Sequence, residues 1–279
     1  MRRRRNNVTR GFRFGVALAT LRSRVQWRDA VRRAEDLGYD VLHLPDHLAT
    51  PAPLPALLLA AEMTNMRVSP FVLNAGFYKP ALLARDAAAL DLLTDHRFEL
   101  GLGTGYVKHE FEAAELEFPS ARDRVDHLAH TIRCLRQHLP HVPIMVAGSG
   151  DRVLSLAAKA ADIVALSGSR PNSADADPLA ELVDFVRQKA CERFDDLELN
   201  LTITALPHDS SGIPKVLRTP GFGQSLTDEQ ILKSPTTLTG TSKDMANTLR
   251  HYAENHSITY ISVPQLHMEA FSKVIAELR

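Results

Sequence analysis

Two cysteines, Cys134 and Cys191, are all that the 279 residues contain. Each falls within a helical pattern, so neither a disulfide framework nor a cysteine metal cluster is expected, and a reducing, cytoplasmic setting fits. No apolar run is long enough to cross a bilayer. Basic and acidic residues number 33 each, so the formal net charge is zero. A surface with no excess of either sign offers no general attraction for nucleic acid or an anionic membrane. The one local excess, Arg2 to Arg5, precedes any periodic pattern. It reads as a solvated, disordered basic tail over residues 1–11, and no apolar h-region follows it to make an export signal. A Gly-Lys-Ser/Thr phosphate loop and a complete dinucleotide fingerprint are also missing. No serine sits in a nucleophile elbow, and neither cysteine has a strand-end setting. Hydrolysis by a side-chain nucleophile is therefore poorly supported, and chemistry carried by a bound redox cofactor suits the chain better.

What is present is alternation. With 44% hydrophobic residues the chain can build a large core. Short apolar runs at Phe14 to Ala17, Val41 to Leu44, Val68 to Leu73, Arg97 to Leu100, Pro143 to Val146, Ile163 to Leu166, Leu197 to Leu206 and Ile258 to Val263 read as eight strands. Between them lie helical patterns, such as Trp27, Ala30, Val31, Ala34 and Leu37 closed by Gly38, or Leu83, Ala87 and Leu90 behind Pro80. The strands are continuously apolar rather than alternating, as expected when both faces are covered. Eight strand–helix units predict an α/β fold, a (β/α)8 TIM barrel in one domain over 12–279, with a doubly wound sheet as the alternative. Residues 207–225 show no periodicity and read as a long loop.

In such a barrel the site is built at the C-terminal ends of the strands, and several of these ends are polar or glycine-rich. Asp46 and His47 end the second strand, and a histidine there can donate a hydrogen bond or move a proton near neutral pH. Asn74 ends the third; its side chain suits a ligand or a turn. After the fourth comes Gly101-Leu102-Gly103-Thr104-Gly105-Tyr106. It reads as a loop whose glycines let backbone approach something bound there. After the fifth, Gly148-Ser149-Gly150-Asp151 leads into a helix, a natural anion site, with Ser149 or Asp151 as the alternative N-cap. His109, Glu110 and Glu112 look metal-like but lack a companion ligand pair, so surface or capping roles are expected and no metal is assigned. His138 and His141 flank a loop without an evident partner.

Six segments in order carry a resemblance: Leu44-Pro45-Asp46-His47; Pro80 to Arg85 followed by Leu90 to Arg97; Gly101 to Gly105; Ala147 to Gly150; Ala157 to Asp162; and Ser234-Pro235 with Leu238 to Thr241. Together they resemble the bacterial luciferase-like monooxygenase superfamily, and within it the branch that uses the deazaflavin coenzyme F420. The resemblance implies a TIM barrel and hydride transfer between C5 of the coenzyme and a C=C, C=N or C–OH group of a small organic or natural-product substrate. The alternatives are an FMN-dependent monooxygenase using O2 with a partner flavin reductase, and a non-catalytic flavin-binding member of the fold. It implies His47 and Tyr106 as catalytic groups. Asp46, Val72, Leu73, Asn74, Thr104 and Gly105 would lie around the ring, with a non-prolyl cis peptide at the bulge of the third strand. Ala147, Gly148, Ser149 and Gly150 would hold the phosphate tail, with Ser167 and Gly168 nearby. Dimers are common in the superfamily, so a homodimer belongs among the expectations.

Three departures stand out. Tyr106 occupies a position where some relatives carry a glutamate, a candidate proton donor. Leu48-Ala49-Thr50 follow His47 where sugar-phosphate-oxidising relatives have an aromatic, which argues against a sugar phosphate. Only Leu139-Pro140-His141 link the fourth long helix to the fifth strand, which predicts a more open pocket mouth and room for a bulky substrate, even a peptide.

Overall fold

The computed structural model describes residues 11–20, 22–168, 177–207 and 227–279. The basic run at the N-terminus and nearly all of the expected loop at 207–225 lie outside the described residues. The elements run β1 (Arg13–Ala17), α1 (Arg24–Asp36), β2 (Val41–Leu44), α2 (Pro53–Ala61), β3 (Arg67–Pro70), β4 (Leu73–Asn74), α3 (Pro80–Leu93), β5 (Leu100–Gly103), α4 (Lys108–Ala113) and α5 (Ala121–His138). They continue with β6 (Ile144–Ala147), α6 (Asp151–Ala160), β7 (Ile163–Leu166), α7 (Pro178–Ala190), β8 (Glu198–Thr202), α8 (Asp228–Leu232), α9 (Ser242–His256), β9 (Ile258–Pro264) and α10 (Met268–Leu278).

Every strand pairing is parallel, and the sheet order is β3-β2-β1-β9-β8-β7-β6-β5-β4. β3 pairs with β2, β4 pairs with β5, and an isolated bridge joins Val68 to Phe98. β3 and β4 are therefore two halves of the third barrel strand, and nine segments fill eight positions around a nearly closed ring. This is the (β/α)8 barrel, not the doubly wound sheet. The helices follow their local chemistry. Ser23 caps α1 by accepting from Gln26 N, and Gly38 ends its turn at φ +87°. Thr241 and Asp244 cap α9 reciprocally.

The main core lies between sheet and helices, with Trp27, Val31, Leu57, Leu83, Leu128 and Phe271 among its buried members. A smaller cluster joins Val41, Met145, Ile163, Ala165 and Tyr260, with Phe71, Val72 and Ala147 packed on it. Residues from β2, β6, β7 and β9 can meet one another only inside the ring. At the N-terminal ends of the strands the interior turns polar. Glu99, almost fully buried, accepts from Arg13 at 2.7 Å and from Arg67 at 2.6 Å. Arg13 also reaches Glu198 at 3.2 Å and lies 4.3 Å from the centre of the Tyr260 ring. Burial opposes the Arg13 charge, but its partners, Glu99 foremost, outweigh that and hold the guanidinium above its ordinary value. His43, 3.1 Å from the Tyr260 hydroxyl and 3.2 Å from Ser262 Oγ, is pushed down to about 3 by burial and by the Arg13 charge.

The third strand breaks at a cis peptide between Phe71 and Val72, where the resemblance implies one. The fourth strand lies further along the chain than its apolar run suggests: β5 is Leu100–Gly103, so Gly101 and Gly103 are strand residues rather than loop. The reason is the neighbouring strand. A Cβ on Gly101 would collide with the Pro70 carbonyl oxygen, one on Gly103 would lie 2.8 Å from Val72 Cγ2, and one on Gly105 would collide with the Asn74 side chain. The three alternating glycines fit the broken third strand. Gly101→Ala is expected to cost about 1–3 kcal/mol as backbone moves to relieve the clash, read as a lower urea midpoint. A wild-type midpoint would show that the strands separate freely.

The short link after α5 is also placed differently from expectation. Residues 139–143 run from the end of α5 to the start of β6, at the floor of the barrel, so their length has no bearing on how open the mouth is.

Candidate functional site

Asp46 and His47 follow β2 after Pro45, and both are half-buried. Asp46 Oδ2 accepts the Asn74 backbone N–H at 3.0 Å, which ties the end of β2 to the end of β4. Burial pushes the Asp46 carboxyl up, against hydrogen bonds from Asn74 and Tyr78 that lower it. The Asn74 side chain takes the turn role: its Oδ1 accepts Gly76 N at 3.0 Å and caps the short turn Ala75–Phe77. Thr50 holds the loop in shape, accepting His47 N at 3.2 Å and donating to His47 O at 2.8 Å.

His47 has a partner that its sequence neighbours do not announce. Its Nδ1 lies 3.0 Å and 3.1 Å from the two carboxylate oxygens of Glu110. Glu110 Oε1 also accepts Leu48 N at 3.1 Å. The surface role expected of Glu110 is therefore wrong: it is 7% exposed, on α4, beside the buried Phe111. His109 and Glu112 do lie at the surface. A signal for Glu110 exists in the sequence. Val107, Phe111 and Ala114 make an apolar stripe at helical spacing, and Glu110 falls within it, where an acid needs a partner. With Nδ1–H directed at the carboxylate, the Nε2 of His47 has no partner among the described residues.

The Tyr106 ring stands edge-on to His47, 6.1 Å between centroids, and is 54% exposed. Its phenol is raised above the ordinary value, first by burial and second by the Glu110 charge, so it remains a proton-bearing donor through neutral pH. Thr104 and Gly105 are half-buried on the same loop. Gly105 sits at φ +69°, and its carbonyl accepts Arg124 Nε at 3.0 Å. Behind it His127 bonds the Ala75 carbonyl at 3.0 Å. Asp46 and Asn74, Asn74 and Gly105, and His47 and Tyr106 are thereby brought together, with Thr104 beside Gly105 in the chain. Leu73 is different. It is fully buried in the main core and faces the helices. Val72 and Ala147 close the interior cluster from above.

Gly148, Ser149 and Gly150 connect β6 to α6, with Ser149 and Gly150 exposed. Gly150 is the N-cap, with no side-chain cap, and a Cβ on it would meet nothing within 4 Å. Neither Ser149 nor Asp151 is the N-cap. The start of α6 thus carries no side-chain cap, and the first turn of a helix is a general place for an anion. Gly148 is held close to Val153, where a Cβ would come within 2.5 Å. Ser167 and Gly168 end β7 on the same face of the barrel; Gly168 has φ +90° and packs on Thr236. The shared barrel face relates the Gly148–Gly150 segment to His47. Among the described residues no helix is long and apolar enough to cross a membrane.

A family model described as luciferase-like monooxygenase matches residues 12–211. The F420-dependent glucose-6-phosphate dehydrogenase of Kribbella flavida is 25% identical over 205 residues, 61% of this chain and 61% of that protein. The chain spans about a third to three fifths of the length of the curated relatives it matches. Among solved structures, the coenzyme F420-dependent tetrahydromethanopterin reductase from Methanopyrus kandleri superposes with a TM-score of 0.76 at 17% identity, covering 97% of this chain and all of that one. A long-chain alkane monooxygenase superposes at 0.78 with 14% identity, over 96% of this chain and 91% of that one. At these identities the likeness shows the fold.

Proposed function

The chain belongs to the luciferase-like monooxygenase family, and on that premise we propose that it is an oxidoreductase using the deazaflavin coenzyme F420. The observation that carries the chemistry is His47, held through Nδ1 by Glu110 with Nε2 directed away from it. The names of the curated relatives support the coenzyme.

The residues present fit such a coenzyme. Val72 and Ala147 give a flat ring an apolar floor, Asp46 and Asn74 supply polar edges, and Thr104 and Gly105 form a side wall. The uncapped start of α6, with Gly148, Ser149 and Gly150, suits a phosphate tail, and Ser167 and Gly168 end the neighbouring strand. Bound there, the coenzyme would supply a carbon that gives or takes a hydride. The protein's part is the proton. In oxidation of a C–OH group, Nε2 of His47 accepts the hydroxyl proton while the Glu110 carboxylate stabilises the imidazolium. In reduction of C=C or C=N, the same nitrogen returns it. Tyr106 stands beside this path as a neutral donor, in the place of the relatives' glutamate.

The substrate in this reading is a small organic molecule without a sugar phosphate. Leu48, exposed after His47, offers no ring face for a sugar to stack on. The link at 139–143 gives no argument for a bulky or peptide substrate, since it lies at the other end of the barrel.

Titrating the purified protein with F420 and, separately, with FMN tests the proposal by absorbance and fluorescence. Saturable binding of F420 with weak or no FMN binding is the expected result. Tight FMN binding without F420 binding would replace the proposal with an oxygen-using monooxygenase, and binding of neither with a non-catalytic member of the fold.

A further inference from the structure

At the floor of the barrel, away from the site above, three side chains converge. Asp91 lies in the last turn of α3 and is 3% exposed. His96 lies in the turn that follows, and His141 in the link between α5 and β6. Asp91 Oδ2 is 2.7 Å from His96 Nδ1 and 3.0 Å from His141 Nε2. The two imidazoles meet nearly at right angles, 82°, with centroids 5.6 Å apart. All three candidate ligand atoms lie within 4.8 Å of one another. We propose that Asp91, His96 and His141 form a site for one divalent transition-metal ion of the zinc class.

The geometry is close to what such an ion needs. Zinc bonds of about 2.0–2.1 Å in a tetrahedron put neighbouring donors about 3.3 Å apart. Both present contacts need to open by only about half an ångström to admit the ion between them. The two histidine side chains are 67% and 58% exposed, so their side chains are free to make that adjustment, and water can complete the coordination from the open side. Two imidazoles and one carboxylate are a nitrogen-rich set that favours zinc, cobalt or nickel over calcium or magnesium. The nitrogens that now donate to the carboxylate would bind the ion after losing their protons.

The backbone gives a separate reason to see His96 as placed for its side chain. It sits at φ +59°, after Asp95 at φ +51°, in the left-handed region that glycine occupies at less cost. A histidine kept there points its ring at the same oxygen as a second histidine 45 residues on in the chain. The ion would join the entrance of β5 to the entrance of β6. The far ends of these strands carry the Gly103–Tyr106 and Ala147–Gly150 segments, so binding would stiffen both from below.

The test uses tag-free, metal-stripped full-length protein titrated with zinc against a chromogenic chelator, with thermal melting in parallel. One tight equivalent per chain and a Tm that rises with zinc are expected. His96→Gly suits the backbone, and His141→Ala is at the surface, so both variants should fold. Each should weaken zinc binding by about 100-fold, the upper end of what losing even a supporting partner costs a metal site, and should lose the Tm response. Absence of a tight equivalent in the parent protein overturns the proposal. So does an equivalent that persists unchanged in both variants, which would belong to other histidines.

Discussion

His47→Ala is expected to lower turnover by about 100- to 10,000-fold, the range for losing a positioned acid–base group, with coenzyme affinity nearly unchanged. The asymmetry follows from the geometry. The proposed contacts to the coenzyme come from several other strand ends, whereas the proton path passes through one nitrogen. The imidazole is held by its other nitrogen against the two Glu110 oxygens at 3.0 and 3.1 Å. Glu110→Gln keeps a hydrogen bond but removes the charge that stabilises the imidazolium, so it should reduce kcat while leaving KM close to the parent value. Free imidazole added to His47→Ala should restore part of the rate. Steady-state kinetics under coenzyme saturation measure all three. If His47→Ala turns over at the parent rate, the proton moves elsewhere and Tyr106 becomes the group to remove next.

The second large effect belongs to stability. Glu99→Ala is expected to destabilise the fold by about 3–5 kcal/mol, the cost of removing one partner from a buried ion pair. Two guanidiniums, Arg13 and Arg67, converge on this carboxylate. Arg13 would be left with the longer contact to Glu198 and the face of the Tyr260 ring. Arg67 suffers less, because it also donates to the carbonyls of His96 and Phe98. The double variant Arg13→Met Glu99→Leu should recover much of the loss, since an apolar pair needs no desolvation of charge. Urea unfolding of Arg13→Met, Glu99→Leu and the double completes the cycle. A single variant with the parent midpoint would mean that water reaches Arg13 and compensates it.

The barrel itself was readable from the chain. Short, wholly apolar runs such as Pro143–Val146 and Ile163–Leu166 carry their own signal, because both faces of a parallel strand are covered. α4 and α8 escaped, having six and five residues, too few for periodicity to register. The misplacement of β5 has another cause. Gly101 and Gly103 announce freedom of the backbone, but what they fit is Pro70 and Val72, some thirty residues earlier. Glu110 and His47 are likewise separated by 63 residues, and Asp91 and His141 by 50. Partnerships over such spans are set by the closed ring. The aspartate and histidine after β2, and the glycine segment before α6, were visible because a strand end and its loop are contiguous in the chain.

The contacts of Gly101, Gly103 and Gly105 with the third strand have a consequence for how this protein can diversify. Along that segment every second position is fitted to the neighbouring strand, Gly101 to the Pro70 carbonyl and Gly103 and Gly105 to the Val72 and Asn74 side chains, and tolerates little change. Thr104, between the last two glycines, and Tyr106, after the third, carry no such obligation. Selection, natural or in the laboratory, can therefore rewrite the proposed reactive wall at two positions while the joint beside it stays fixed. A library confined to Thr104 and Tyr106 should yield mostly folded proteins, whereas one that spans the whole segment would be dominated by chains that fail before their chemistry is ever sampled.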